Sequence, residues 1–292
     1  MSFDGWLLYK RKDAIENQAY IDWFVEEAHL AGMSLTLVCR EDLTIGIIDQ
    51  KRSVLIKNQP VKLPDYAVSR TIDHLLSLQL EALEITVFNA AHIAAMCNNK
   101  ALTHQYICDL QIPMVDTIFL ERASMPLKPP LPYPFVLKET GGHGGQQVYY
   151  IAHQAAWEEH KATISGNQVI IQACNVVLGK DVRVFVVGKE IVGAVLRENK
   201  ADFRANYKLG GSVTGYSLSQ KETAMINRII RHFDFDMVGI DFLIDIEGNL
   251  VFNEVEDVVG SRTLSIVSDV NILEIYCRHM KEKLSMKKQE FR

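Results

Sequence analysis

The stretch VGIDFLIDIEGNLVFNEVED, residues 238–257, decides how this chain is read. Apolar residues alternate on each side of Glu247-Gly248-Asn249, the pattern of two antiparallel strands joined by a tight turn. With Glu247-Gly248 as the central turn pair, Ile246 faces Asn249 and Asp241 lies opposite Glu254. With Gly248-Asn249 at the centre, Asp241 lies opposite Glu256 instead. Side chains alternate with period two, so in either register all three carboxylates share one face. Directly opposed residues start from Cβ atoms roughly 4.5–5.5 Å apart. Acids that close repel unless a cation sits between them. A hard divalent ion bound through oxygen meets that need, and magnesium is held by one or two carboxylates plus substrate phosphates. The competing reading is a plain solvated acidic strand face, and the sequence upstream weighs against it.

Upstream, DVRVFVV and EIVGAVL flank Gly188 as two further strands. Asp181, Arg183 and Phe185 share one face of the first, and Val182, Val184 and Val186 the other. Such a strand packs on a core with one side and lines a polar cleft with its charged side. The loop KADFRANYKLGGS (200–212) gathers Arg204, Asn206, Lys208 and two glycines, which suits a clamp on phosphate or carboxylate. In PFVLKETGGHGGQQVYYI (134–151) a strand ends at Lys138, a glycine-rich loop follows, and a second strand leaves it. Gly141, Gly142, Gly144 and Gly145 let backbone N–H groups approach phosphate oxygens closely. This is no Walker A loop, since no Gly-Lys-Ser/Thr follows and the loop leads into a strand. Helices are expected at 98–110, 153–165 and 219–233, and strands at MVDTIFL (114–120) and QVIIQ (168–172). PLKPPLPYP (126–134) is too proline-dense for either and reads as an extended surface link.

The first part of the chain reads differently. GWLLY (5–9), an amphipathic helix over 13–31 with Ile15, Ile21, Phe24, Val25 and Ala28 on its apolar face, and LTLVC (35–39) form a βαβ unit and imply a parallel sheet. The short β pieces TIGIID, SVLIK and YAVS, a helix near 71–83 and ITVF (85–88) close this lobe. It lacks GxGxxG, which assigns it to scaffold or substrate binding over dinucleotide binding. At the other end a helix is expected from 263 to 284, and the charged tail KEKLSMKKQEFR is expected to fray.

Composition sets outer limits. The 292 residues allow one large or two to three small domains, and 48% apolar content suits a globular protein. A net charge of −5 gives no sign of nucleic-acid or membrane partners, and no apolar run reaches membrane-span length. The start shows no basic leader of a signal peptide. The five cysteines (Cys39, Cys97, Cys108, Cys174, Cys277) form no CxxC pair, which points to buried thiols in a reducing cytoplasm. The nine histidines show no metal-ligand spacing.

Five stretches at these spacings resemble the ATP-grasp superfamily and, within it, the RimK-like carboxylate–amine ligases. They are NNKALTHQYICDLQIP, PFVLKETGGHGGQQV, GKDVRVFVVGKEIVGAVLR, ADFRANYKLGG and MVGIDFLIDIEGNLVFNEVE, within residues 90–256. The resemblance implies an α/β chain built of α+β lobes with the ATP-grasp fold. It implies a pre-ATP-grasp α/β domain over 1–90, a subdomain with the glycine-rich lid loop over 91–170, and a C-terminal subdomain with the metal site over 171–292. It further implies an ATP site in the cleft between lobes. By carry-over Lys100 and Lys138 contact the phosphates, and the loop with Gly141, Gly142, Gly144 and Gly145 covers them. The backbone running from Gln172 into Ala173 and Cys174 meets the adenine, and Asp181 binds the ribose region. Arg204 and Asn206 reach phosphate and metal, while Asp241, Glu254 and Glu256 hold Mg²⁺ or Mn²⁺. Arg183 and Arg197 join Lys138 and Arg204 in the catalytic set, facing the carboxylate substrate or its phosphate.

The chain departs from the family pattern twice. Ala173-Cys174 stands where an acid and an aromatic are usual. Glu254-Val255-Glu256, followed by Asp257-Val258-Val259-Gly260-Ser261-Arg262, stands where Glu-x-Asn, a small residue, Pro and Gly are usual. The implied activity is ATP-dependent ligation of a small-molecule or peptide carboxylate to an amine, glutamate among the candidates, with self-association left open. The rival is an ATP- and Mg²⁺-binding protein with little or no turnover, acting as sensor or assembly partner. A phosphotransferase that stops at the phosphorylated acid is a third, weaker option.

Overall fold

The computed structural model describes residues 2–142, 147–205 and 210–290, the side chain of Glu290 aside. The first lobe runs β1 (Asp4–Tyr9), α1 (Arg11–Glu16), α2 (Gln18–Leu30), β2 (Ser34–Cys39), β3 (Leu43–Ile48), β4 (Lys51–Ile56), β5 (Gln59–Pro60), β6 (Tyr66–Ser69), α3 (His74–Glu81) and β7 (Thr86–Phe88). The anticipated βαβ unit is present: β1 pairs in parallel with β2 and β6 in a sheet ordered β2-β1-β6-β7. Next come α4 (Ala91–Cys97), α5 (Lys100–Asp109), β8 (Thr117–Glu121), β9 (Phe135–Glu139), β10 (Val148–Ile151), α6 (Gln154–Thr163) and β11 (Gln168–Ala173). Their strands form an antiparallel sheet ordered β10-β9-β11-β8. The rest runs β12 (Val176–Val187), β13 (Glu190–Glu198), β14 (Ser212–Gly215), α7 (Gln220–His232), β15 (Met237–Asp245), β16 (Leu250–Glu256), α8 (Arg262–Val267) and α9 (Ile272–Glu290). Here the antiparallel order is β14-β13-β12-β15-β16.

Three expectations need correction. The single helix over 13–31 is two, broken at Asn17, whose amide bonds back to the Asp13 carbonyl at 2.7 Å. The break takes Ile15 off the apolar face and leaves it 74% exposed. The helix over 263–284 is likewise two, and the tail does not fray within the described residues: α9 continues to Glu290. Leu284 is buried, Lys287 Nζ donates to Thr86 Oγ1 at 3.0 Å, and Lys288 pairs with Asp65 at 3.3 Å. Charge along this helix docks it against the first lobe instead of loosening it.

The third correction concerns β12. Val182, Val184 and Val186 enter a core with Ile107 of α5 and Ile226, Ile229 and Ile230 of α7, as expected. The opposite face is polar only over Asp181 and Arg183. From Phe185 onward it enters a second core with Leu7 and Tyr9 of β1, Phe24 of α2 and Tyr276 of α9. Burial of each such side chain stabilises by about 1.5–3 kcal/mol, so both faces of the five-stranded sheet are anchored and its charged end is held rigidly. Asn89 fastens the first lobe to the start of β15. Its Nδ2 donates to the Met237 carbonyl at 2.9 Å, and its Oδ1 accepts from the Asp236 N–H at 2.6 Å. Among the described residues no helix is long and apolar enough to cross a membrane, and all five cysteines are free thiols.

Candidate active site

The hairpin of β15 and β16 brings Asp241 opposite Glu254, by a route the simple count does not foresee. Its loop has three residues, not two. Asp245 N–H bonds the Asn249 carbonyl at 2.9 Å, and Gly248 takes a φ of +87° that favours glycine. That loop pairs Ile244 with Leu250 and Phe242 with Phe252. A β-bulge then inserts Asn253 and restores Asp241↔Glu254 and Gly239↔Glu256. The two offsets cancel. The bulge also turns Asn253 toward the cleft, where its Oδ1 accepts from Lys138 Nζ at 2.8 Å across the gap between sheets.

Across the five-stranded sheet, Arg183, Asp241 and Glu254 form one row on β12, β15 and β16, with Asp181 and Arg197 paired beside it. Arg183 grips Asp241 through two bonds, Nε to Oδ1 at 2.7 Å and Nη2 to Oδ2 at 2.6 Å, and reaches Glu256 at 2.8 Å. Arg197 grips Asp181 the same way at 2.6 and 2.7 Å and adds a bond to Asp241 Oδ2 at 2.8 Å. Burial pushes the Asp241 carboxyl up, but Arg183 and Arg197 outweigh it and hold it down at about 2. Glu254 feels the same contest, and Lys100 keeps it below its usual value. Glu256 goes the other way: burial raises it, and Arg183 does not fully offset that. The solvated-face reading fails for Asp241, which is only 1% exposed, whereas Glu254 and Glu256 are half-buried.

The four-stranded sheet supplies the opposite wall. Lys138 on β9 is pulled down to about 8 by burial. Lys100, at the start of α5, donates to the Gly142 carbonyl at 2.5 Å and pairs with Glu254 at 3.1 Å. Gly142 is thus tied to the acid row through one lysine. Gly141 is exposed and Gly142 lines the cleft, while Gly144, Gly145 and Asn206 lie outside the described residues. Arg204 also lines the cleft, and Asp202 holds its guanidinium at 2.7 and 3.0 Å.

The cleft encloses about 840 Å³, open solvent at its mouth included. Val136, Val148, Leu178, Phe203 and Leu243 give it an apolar part suited to a planar ring. Asp181, Arg183, Arg197, Asp241, Glu254 and Glu256 all line it with the two lysines. Gln172 does not: its Nε2 turns to His104 Nε2 at 3.0 Å and Thr117 Oγ1 at 3.1 Å. The Ala173 N–H is already bonded to the Asp116 carbonyl at 2.9 Å, and Cys174 is half-buried near Lys138.

One oxygen from each of Asp241, Glu254 and Glu256 lies within 4.8 Å of the others. Three hard oxygen donors converging on one point fit Mg²⁺ or Mn²⁺. Sequence reasoning missed Asn253 and Asp202. Asn253 was detectable: the apolar phase of Leu250 and Phe252 slips by one before Val255, the mark of an inserted residue.

The RimK-like ATP-grasp domain family matches residues 97–277. The glutamate–LysW ligase ArgX of Sulfurisphaera tokodaii is 24% identical over 252 residues, covering 82% of this chain and 89% of that protein. Human N-acetylaspartylglutamate synthase A is 28% identical over 213 residues, covering 68% of this chain and 53% of that protein. Among solved structures, the RimK domain ATP-grasp protein of Sphaerobacter thermophilus superposes with a TM-score of 0.72 at 18% identity, covering 94% of this chain and 98% of that one.

Proposed function

Because this chain belongs to the RimK-like family of ATP-grasp carboxylate–amine ligases, we propose that it joins a carboxylate to the amine of an amino acid or peptide, with ATP cleaved to ADP and phosphate. The observation that carries this reading is the convergence of Lys100 and Lys138 from one wall on Glu254 and Asn253 of the other. A carboxylate attacking the γ-phosphoryl of ATP is an anion approaching an anion. Lys100, Lys138 and Arg204 would hold the phosphates and offset the charge on the group in flight. Asp241, Glu254 and Glu256 would hold Mg²⁺, which when bound neutralises phosphate charge. The carboxylate oxygen bonds to phosphorus as the bond to ADP breaks, giving an acylphosphate. The amine then displaces phosphate, loses a proton and leaves an amide. The acylphosphate hydrolyses in water, and the glycine-rich segment that begins at Gly141 and Gly142 would serve as the lid that excludes it. Ala173 and Cys174 would meet the adenine through backbone groups other than the Ala173 N–H, which the Asp116 carbonyl already takes. Asp181 would face the ribose with both oxygens already accepting from Arg197. The names of the relatives make glutamate the first substrate to try.

The test mixes the protein with ATP, Mg²⁺ and a panel of amino acids and peptides. ADP release that depends on one panel member, and hydroxamate formed when hydroxylamine is added, support the ligase. Nucleotide binding with no ADP above background assigns the chain to the sensor reading. Glu254→Ala is expected to abolish Mg²⁺-dependent nucleotide binding, and unchanged affinity would overturn the assignment of the metal face.

A further inference from the structure

The three-stranded sheet of the first lobe, ordered β3-β4-β5, ends on one side in β5, two residues closed by Pro60. Its other edge, β3, has no such guard. It pairs with β4 residue for residue without a bulge, and it holds neither proline nor lysine. The bonds around it fix where its backbone groups point. Asp49 and Gln50 both take positive φ, the two-residue turn that makes Ile48 and Lys51 a hydrogen-bonded pair. Gln79 Nε2 of α3 reaches the Gly46 carbonyl at 2.9 Å and the Ser53 carbonyl at 3.4 Å, so both carbonyls lie in the gap between β3 and β4. Even-numbered residues of β3 therefore bond to β4. Ile45 and Ile47 turn N–H and C=O to the outer edge, where they have no partner among the described residues.

A row of free peptide groups is a template for another strand. The surface beside it says which strand fits. Ile47 is 75% exposed although it lies on the core face of the sheet with Leu43 and Val54. α3 covers that face with Leu76 and Leu80 and leaves Leu75 at 61% and Leu78 at 56% in water. Leu75 lies one turn before Gln79, so this stripe borders the side chain that touches Gly46. Ile47, Leu75 and Leu78 expose on the order of 400 Å², a patch of the size that marks an interaction site. An antiparallel copy would also set the exposed Glu41, just before one β3, at the tip of the other. There Lys51 and Arg52 outnumber Asp49.

We propose that a second copy of this chain pairs antiparallel along β3 across a two-fold axis at Gly46. Ile45 of each copy then exchanges both backbone bonds with Ile47 of the other, and the two sheets become one of six strands. Gly46 meets its own copy on the axis, and a Cβ there would have no neighbour within 4 Å in its own chain. The two α3 helices come to the same side of the joined sheet, where Leu75 and Leu78 cover each other and Ile47. Strand edge, apolar stripe and charged ends together approach the roughly 800 Å² that a standard interface takes from each partner. No residue of this sheet lines the cleft, so the dimer is independent of the ligase reading.

Sedimentation velocity of the full chain, without nucleotide or substrate, tests it. The wild type is expected to run at twice the mass of one chain at about 10 µM. Ile47→Lys and Leu75→Glu should each raise the dimer dissociation constant about 100-fold and leave Tm within about 2 °C, because both side chains stand in water in the single copy. Gly46→Cys should give a disulfide-linked dimer on mild oxidation, since facing residues of a non-hydrogen-bonded antiparallel pair stand about 4.5 Å apart at Cα. The wild type, which keeps the exposed Cys108, should not. A wild type that stays monomeric at about 100 µM overturns the proposal and leaves the edge to a strand of another protein. So does a dimer that persists in both Ile47→Lys and Leu75→Glu, or one that Gly46→Cys fails to link. Absence of ADP release in the turnover assay would sink the ligase reading and leave this dimer standing.

Discussion

The two sheets that face the cleft handle buried charge in opposite ways. The five-stranded sheet neutralises itself: Arg183 and Arg197 each take a carboxylate through two bonds, and Asp241 serves both. The four-stranded sheet does not. Lys138 has one neutral partner, the Asn253 amide of the opposite sheet, and burial pulls its pKa down to about 8. Pairing within a sheet makes a finished, rigid electrostatic floor. A lysine left with an amide is finished only when an anion arrives. Breaking the first arrangement should cost folding stability as well as metal binding, and breaking the second should cost binding alone.

Asp241→Asn is the harshest way to break this contrast. It leaves two buried guanidiniums sharing Asp181 and Glu256, and removing one partner of a buried ion pair costs about 3–5 kcal/mol. Urea unfolding should show a loss of that size, and a loss under about 1 kcal/mol would mean that the row is solvated and the contrast false. Lys138→Met sharpens the other half. Replacing a poorly compensated buried ammonium by an apolar chain of similar length should leave stability within about 1 kcal/mol of wild type. Mg²⁺–ATP affinity should nonetheless fall about 100-fold, as a charge-assisted bond to phosphate is lost. If Lys138→Met destabilises as much as Asp241→Asn, the two sheets are not different in kind.

Much of this floor was legible in sequence because strand alternation is strict. Asp181 and Arg183 fall in phase in DVRVFVV, and Asp241, Glu254 and Glu256 fall on one face in both registers built on a two-residue turn. The pairing was not legible. Nothing local tells Arg183 that Asp241 lies across from it, or Arg197 that it will take Asp181 through two bonds. The hairpin register came out correct because a longer loop and a bulge cancel, and only the phase slip before Val255 hinted at the second. Phe185 marked the end of the polar face of β12, an apolar residue in a charged register, and α9 hid its docking because Leu284 and Met280 are scattered among lysines.

The smallest effect belongs to the joint between the sheets. His104 is 1% exposed and touches both, bonding Gln172 of β11 and packing on Phe252 of β16 with ring centroids 5.4 Å apart. Its Nδ1 lies 2.7 Å from the Lys100 carbonyl, which can only accept, so Nδ1 carries the proton and Nε2 accepts from the Gln172 amide. The ring is thereby neutral, and burial depresses its pKa to about 4. Between the unfolded value near 6.5 and the folded value of about 4, the unfolded chain binds the extra proton. Stability is then full above pH 6.5 and falls as pH drops through that window, by about 2 kcal/mol at pH 5. Urea midpoints measured across this range for wild type and His104→Gln give the comparison. The variant should start lower, because it packs less well against Phe252, but its curve should be flatter by that amount. Equal slopes would place the proton elsewhere and leave the joint as packing alone.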